Sequence, residues 1–194
     1  MSHYFENDAS VVDAPCVVHF ELKNKEFSLQ SNAGVFSKDK LDTGTRILLE
    51  TILKYEKNPI SVLDLGCGIG PVGVVLSTFW DTEMTMIDVN ERAVQLARCN
   101  MENIHKSATL LCQDGIQTGE YECIVLNPPI RTGKEVIYRL FDECMNHLKK
   151  DGRFWIVMRK QHGASSAVKH FEERGYHVER MARDKGYWIL KITA

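Results

Sequence analysis

Apolar residues along the chain keep two different periods, and the change between them marks out the elements. Over VVHFEL (17–22) and KEFSLQ (25–30), apolar and polar residues alternate on either side of Lys23 and Asn24, which predicts two short strands joined by a turn. A loop, SNAGVFSKDKLD, follows. From about Thr43 to Tyr55, Leu48, Leu49, Ile52 and Leu53 fall on one face of a helix, with Asp42 or Thr43 as its cap. Beyond it, apolar runs at 60–65, 83–88, 108–113, 121–126 and 153–158 read as strands. They take turns with helical patterns near 71–79, 91–103, 134–149 and 163–174. The 134–149 helix carries the clearest pattern, with Val136, Ile137, Leu140, Phe141, Cys144, Met145 and Leu148 at helical spacing.

Strands alternating with helices argue for a parallel sheet covered on both faces, because right-handed crossovers place the helices there. The rhythm breaks at the end of the chain. After Gly175, placed to be the left-handed residue that closes a helix, YHVERMA and YWILKIT flank the turn RDKG as an antiparallel pair. The expected fold is therefore α/β, a mainly parallel seven-stranded sheet ending in an antiparallel hairpin, with an extra N-terminal β-hairpin.

A chain of 194 residues favours one domain, 1–194, with residues 1–42 as a hairpin and loop extension and 43–194 as the core. The start, MSHYFENDAS, has neither a basic nor an apolar leader segment, which points to the cytoplasm. SVLDLGCGIGPVGVVLSTF (61–79) is the most apolar stretch, but an Asp, four glycines and a proline interrupt it, so no membrane span is expected. The six cysteines form no C-x-x-C pair and read as buried small hydrophobes, and the histidines show no ligand spacing, so no metal is expected. Charge is uneven. Residues 1–123 carry 10 Lys+Arg against 18 Asp+Glu (−8), and residues 124–194 carry 14 against 8 (+6), so a polyanion is favoured at one side only, unless these are simply solvated faces.

Asp64-Leu65-Gly66-Cys67-Gly68-Ile69-Gly70 lies where a strand turns into a helix. Glycines there allow a sharp turn and a close ligand approach, and the helix N-terminus supplies N–H groups. GIGPVG (68–73) also matches a dinucleotide fingerprint, with Asp88 20 residues beyond Gly68. Any adenosine cofactor suits that pattern: Asp88 ends a strand, where its carboxylate is placed either to accept from ribose hydroxyls or to cap the next helix. Asp64 opens the loop, and a carboxylate pointing into a pyrophosphate site would repel it, so a cationic ligand is preferred. Asp114-Gly115, taken alone, is a plain turn. At the carboxyl edge of a parallel sheet it joins Asp64, Asp88 and Asn127 around one crevice.

VLDLGCGIG, then ID (87–88), QDG (113–115) and LNPPI (126–130), in that order and spacing, resemble the successive motifs of a class I S-adenosylmethionine-dependent methyltransferase, a Rossmann-like fold. GVFSKDKLDTGTRILL (34–49) together with NPPI resembles the small methyltransferase domain of the RsmC-like 16S rRNA guanine-N2 methyltransferases. The resemblance implies S-adenosyl-L-methionine as cofactor. Asp64 and the backbone around Gly66, Gly68 and Gly70 would hold its methionine end, Asp88 the ribose and Asp114 the adenine amino group. Cys67, Val89, Gly115, Asn127 and Thr43 complete the implied binding set, although a helix cap explains Asp42 and Thr43 equally well.

The same resemblance gives the prolines of LNPPI a purpose. An exocyclic amine is a poor nucleophile because its lone pair is delocalised into the ring. Accepting its two N–H groups on the Asn127 side-chain oxygen and the Pro128 carbonyl would fix the nitrogen and aim its lone pair, with Pro129 and Ile130 completing a stiff segment. A turn residue ahead of a loop is the plainer reading of Asn127. Many Asn-Pro-Pro proteins carry an aromatic residue where this chain has Ile130, which weakens stacking on a flipped base. The best-known relatives also carry a second domain, whereas here there is a hairpin. Arg131, Lys134, Arg159 and Lys160, with His162, are placed to contact phosphates, while Trp155 and Trp188 read as core.

The expected activity is methyl transfer to guanine N2 in 16S ribosomal RNA, with ribosomal RNA or the small subunit as partner and the oligomeric state open. Its rivals are methyl transfer to adenine N6 or to a protein glutamine amide, a small-molecule methyltransferase, a non-catalytic domain that binds RNA or protein, and an NAD oxidoreductase.

Overall fold

The structure, a computed structural model, describes residues 14–32 and 40–194. The MSHYFENDAS start and the GVFS residues of the 34–49 segment lie outside the described residues. Strands β1 (Pro15–Leu22) and β2 (Lys25–Asn32) pair antiparallel, with Lys23 (φ 53°) and Asn24 (φ 59°) both left-handed, the two-residue turn that suits strand twist. Val18, Phe20, Leu22, Phe27 and Leu29 turn inward, so this small sheet lays one apolar face on the main body.

The main body runs α1 (Thr43–Tyr55), β3 (Ser61–Leu65), α2 (Pro71–Phe79), β4 (Glu83–Asp88), α3 (Glu91–Asn103), β5 (Thr109–Cys112), β6 (Tyr121–Leu126), α4 (Lys134–Asn146), β7 (Leu148–Arg159), α5 (Ala164–Glu172), β8 (His177–Asp184) and β9 (Tyr187–Thr193). Its seven strands lie in the order β5-β4-β3-β6-β7-β9-β8, parallel except for β9, which is antiparallel to both β7 and β8. Alternate residues of each strand feed opposite cores. Val62, Cys123, Val125, Trp155, Val157 and Ile189 pack toward α1, α2, α3 and the small sheet. Leu63, Leu65, Ile124, Leu126, Phe154, Ile156 and Leu190 pack toward α4 and α5. Each such large apolar side chain contributes roughly 1.5–3 kcal/mol by burial.

The predicted order of elements stands, with local corrections. The fourth helix ends at Asn146 rather than 149, and Leu148 opens β7 instead of extending the apolar face. The chain is turned there by the sheet: the His147 carbonyl accepts from Tyr121 N (2.9 Å) and Leu148 pairs with Tyr121. The next pair is Cys123 with Arg153, so the residues between bulge out, with Asp151 at φ 62°. The last turn is Lys185-Gly186 alone, because pairing continues to Asp184 and Tyr187. Gly175 (φ 82°) closes α5 as predicted, its N–H bonding Glu172 O (3.0 Å) while Tyr176 N bonds Phe171 O (3.1 Å).

Strand order reverses between β3 and β6, where Leu65 and Leu126 are register partners. The loops leaving these two ends therefore face one another across the crevice in which open α/β sheets bind ligands.

Candidate active site

The glycine loop after β3 is bonded mainly to the end of β4. Gly66 N and Cys67 N both donate to Ile87 O (2.8 and 2.9 Å), Gly68 N to an Asp88 carboxylate oxygen (2.8 Å) and Gly70 N to Cys67 O (2.9 Å). Gly66, Gly68 and Gly70 take φ values of 69°, 54° and 92°, in the left-handed region. At Gly70 a Cβ would also sit 2.8 Å from Met86 Cε and 3.2 Å from Ala97 Cβ. The loop amides named above are thus spent inside the protein, and the loop is no ready-made anion cradle.

Asp64 plays a different part from the expected one. Its carboxylate does not line the crevice; it is buried and accepts from Gly73 N (3.1 Å) in the first turn of α2. Burial pushes its pKa up to about 7, against the lowering by the Gly73 N–H, and the nearby Asp88 charge adds to the rise. The helix N-terminus already faces an acid, so a pyrophosphate is disfavoured, although not by the repulsion that the sequence suggested.

The crevice is lined by Gly66, Asp88, Val89, Gln113, Asp114, Gly115, Asn127 and Pro129, with Leu65, Ile87, Leu126, Thr132, Val136 and Leu140 supplying the rest of the wall. Asp88 accepts from Gly68 N and from Asn90 N (2.9 Å), and its pKa is raised by burial despite these bonds. It is Asn90, accepting from Arg92 N and Ala93 N, that caps α3. Asp114 is held by Arg139 (2.7 Å), which also pairs with Glu143. Glu143 in turn accepts from Ile116 N (3.1 Å). Sequence reading missed this brace; its signal is the i, i+4 spacing of Arg139 and Glu143 on α4. Gln113, whose Nε2 donates to Gly115 O (2.9 Å), was also missed.

Asn127 leaves β6 and reaches back to the start of α1. Its Nδ2 donates to Thr45 Oγ1 (3.0 Å) and Asp42 Oδ2 (3.3 Å). Asp42 is the cap of α1, accepting from Thr45 N (2.8 Å). Thr43 is exposed and Thr45, two positions on, is buried; neither lines the crevice, and Thr45 touches it through Asn127. Pro128 is buried, and among the described residues its carbonyl accepts no hydrogen bond. The Pro129 carbonyl is occupied by Thr132 N (2.9 Å) and Thr132 Oγ1 (2.7 Å) in a single 3₁₀ turn.

The expected phosphate contacts are scattered. Arg131 and Lys160 are exposed, Arg159 stacks on Tyr187 (4.8 Å) and Lys134 on Tyr138 (5.0 Å). None of them lines the crevice; Ile130, Lys134 and His162 border a second groove with Tyr138 and Met158. Trp155 is core and bonds Glu56 (3.0 Å), whereas Trp188 is only half-buried beneath Arg180. Cys67, Cys123 and Cys144 are buried, but Cys99 and Cys112 are exposed, contrary to a uniform buried reading. Among the described residues no three His, Cys, Asp or Glu side chains converge as a metal site, and no helix is long and apolar enough to cross a membrane.

Residues 26–191 match the family described as Methyltransferase small domain. The chain belongs to that family. Within it, the Uncharacterized protein YbxB of Bacillus subtilis (strain 168) is 40% identical over 197 residues, covering 97% of this chain and 96% of that protein. The Ribosomal RNA small subunit methyltransferase C of Haemophilus influenzae (strain 86-028NP) is 33% identical over 156 residues, 72% of this chain. The match covers 47% of that enzyme, so the small-domain chain spans about half the length of the rRNA methyltransferases it matches. Among solved structures, the T. thermophilus 16S rRNA N2 methyltransferase (RsmC) in complex with AdoMet and guanosine superposes with a TM-score of 0.77 at 21% identity, covering 91% of this chain and 50% of that one. At that identity the likeness establishes the fold.

Proposed function

We propose that this small-domain protein, acting as one domain in the cytoplasm, is an S-adenosyl-L-methionine-dependent N-methyltransferase whose target is an exocyclic amine of a nucleobase, guanine N2 of 16S ribosomal RNA first. One observation carries the reading. Among the described residues the charged groups lining the crevice, Asp88 and Asp114, are both acidic, no Lys, Arg or His lines it, and it also holds the Asn127 amide. Such a donor set suits a cofactor with a cationic methionine end and ribose and adenine donors, and it does not suit a pyrophosphate.

S-adenosyl-L-methionine, when bound, supplies the electrophilic methyl group. Asp88 is placed to accept from ribose hydroxyls and Asp114, oriented by Arg139, from the adenine amine. Asn127 and the Pro128 carbonyl would accept the two N–H groups of the target amine, with Pro128 and Pro129 fixing the backbone that carries them. Preorganised acceptors need no reorganisation as positive charge grows on the nitrogen, which is the source of their catalytic value. The +6 charge of residues 124–194 supports an RNA partner over a protein amide.

Calorimetric titration with S-adenosyl-L-methionine against NAD, followed by labelled-methyl transfer to small ribosomal subunits and to naked 16S rRNA, tests the reading. Micromolar binding of the first compound and label recovered in N2-methylguanine are expected. Tighter binding of NAD, or label recovered in protein alone, would reject it.

A further inference from the structure

We propose that Asp42 and Thr45 are positioning residues that lock the Asn127 amide with its nitrogen toward α1, so that it turns its oxygen to substrate. The inference rests on the reading of Asn127 as the amine acceptor and adds what enforces that role.

The proton directions follow from the groups present. An Asp42 carboxylate has no proton to give, so the three groups around its Oδ2 must all donate: Thr45 N at 2.8 Å, Thr45 Oγ1 at 3.0 Å and Asn127 Nδ2 at 3.3 Å. The Thr45 hydroxyl has one proton and spends it on Asp42, leaving its lone pair to accept from Asn127 Nδ2 at 3.0 Å. Thr45 Oγ1 and Asp42 Oδ2 are 3.0 Å apart and lie 3.0 and 3.3 Å from Nδ2, so they share one side of the amide nitrogen and fix which end of the amide faces α1. Turned over, the amide would set its oxygen against the Asp42 carboxylate, and the Thr45 hydroxyl would meet that oxygen only by giving up its bond to Asp42. Thr45 is 3% exposed, which shields its hydroxyl, whereas Asn127 itself is exposed.

The backbone holds the lock in place. At Gly44, between the two residues, a Cβ would sit 2.8 Å from Tyr187 Cε1 and 3.2 Å from Asp42 Oδ2. Only glycine lets the first turn of α1 lie against β9 with the Asp42 carboxylate where it is. The Asp-Thr-Gly-Thr stretch therefore spends three of its four residues on the orientation of one side chain 82 positions away. Its consequence is selectivity. An acceptor held in that direction favours an amino group over a keto oxygen such as guanine O6 or uracil O4.

Thr45→Val removes the hydroxyl at nearly constant volume, and Thr45→Ser restores it. With labelled-methyl transfer to ribosomal RNA as the assay, Thr45→Val is expected to lower kcat about 30- to 100-fold, with KM and S-adenosyl-L-methionine affinity within about twofold, and Thr45→Ser to recover most of kcat. A Thr45→Val kcat within about twofold of the parent, where Asn127→Ala is inactive, overturns the lock but leaves the acceptor reading standing. Full turnover by Asn127→Ala overturns both. A second measurement needs no substrate: the Asn127 side-chain amide, assigned in a ¹⁵N–¹H spectrum by its loss in Asn127→Asp, should exchange slowly with solvent and quicken in Thr45→Val. Fast exchange in the parent, or equal exchange in both, overturns the lock.

Discussion

The two loops that face each other across the crevice leave neighbouring strands in register, yet they are held in opposite ways. The glycine loop satisfies its amides within about 25 residues of its own chain, through Ile87, Asp88 and Cys67, and its motif is legible because its geometry is local. Among the described residues the Asn-Pro-Pro loop bonds locally through Thr132 alone, and its Asn127 side chain is fixed by Asp42 and Thr45 at the start of α1, 85 and 82 positions earlier. A loop that must shape itself turns its polar groups inward; a loop braced from outside can leave its acceptors to the cavity.

The largest effect should come from the externally braced loop. Asn127→Ala is expected to reduce turnover on the order of 10²- to 10³-fold, as deletion of one preorganised polar group does elsewhere, with S-adenosyl-L-methionine affinity nearly unchanged by calorimetry. Retained turnover would leave the two loops functionally alike and end the contrast.

Next is the acid beneath the glycine loop. Asp64 titrates near 7 in the fold against 3.8 for an unburied aspartate. Between about pH 4 and 7 the folded state keeps a proton that the unfolded state has lost, so this group's contribution to stability falls as pH rises through that window and is level above it. Asp64→Asn keeps the acceptor for Gly73 N and removes the slope. Urea unfolding at pH 5 and 7.5 should show the parent losing about 2–3 kcal/mol relative to Asp64→Asn across that step, and parallel losses in both would contradict it.

Two glycines with the same φ of 92° sharpen the comparison further. Gly70, in the glycine loop, packs against Met86 and Ala97, whereas Gly133, after the Asn-Pro-Pro segment, has open space where a Cβ would go. Gly70→Ala is expected to cost about 2–4 kcal/mol from backbone strain plus overlap. Gly133→Ala should cost about 1–3 kcal/mol from backbone strain alone, because its ψ of 166° lies in a region that only glycine occupies, whereas Gly70 has ψ 27°. A Gly70→Ala loss, read from thermal midpoints, no larger than the roughly 1–2 kcal/mol of left-handed strain would show that packing around the glycine loop is looser than the geometry indicates.

Legibility of the sequence followed the range of the forces involved. The antiparallel ending and the β-α rhythm were readable because apolar periodicity and turn residues act over a few positions, and Gly175 closes its helix where the pattern placed it. Leu148 misled because it continues helical spacing, while Tyr121 and the β6 ladder claim it for the sheet. Of the predicted cofactor set, Gly66, Asp88, Val89, Asp114, Gly115 and Asn127 line one crevice, whereas Asp64 turns into its helix and Thr43 is exposed beside the buried Thr45. Residue type announced a carboxylate or a threonine near the site; its direction depended on which amide or hydroxyl arrived beside it.

By itself, then, the sequence determined the elements, their α/β order and the loops that carry chemistry, since hydrophobic spacing and the backbone limits of glycine and proline are properties of short stretches. The tertiary structure alone decided which way Asn127 points and that Arg139 orients Asp114, because hydrogen-bond partners from 25 to 85 positions away set those directions only when the sheet brings them together.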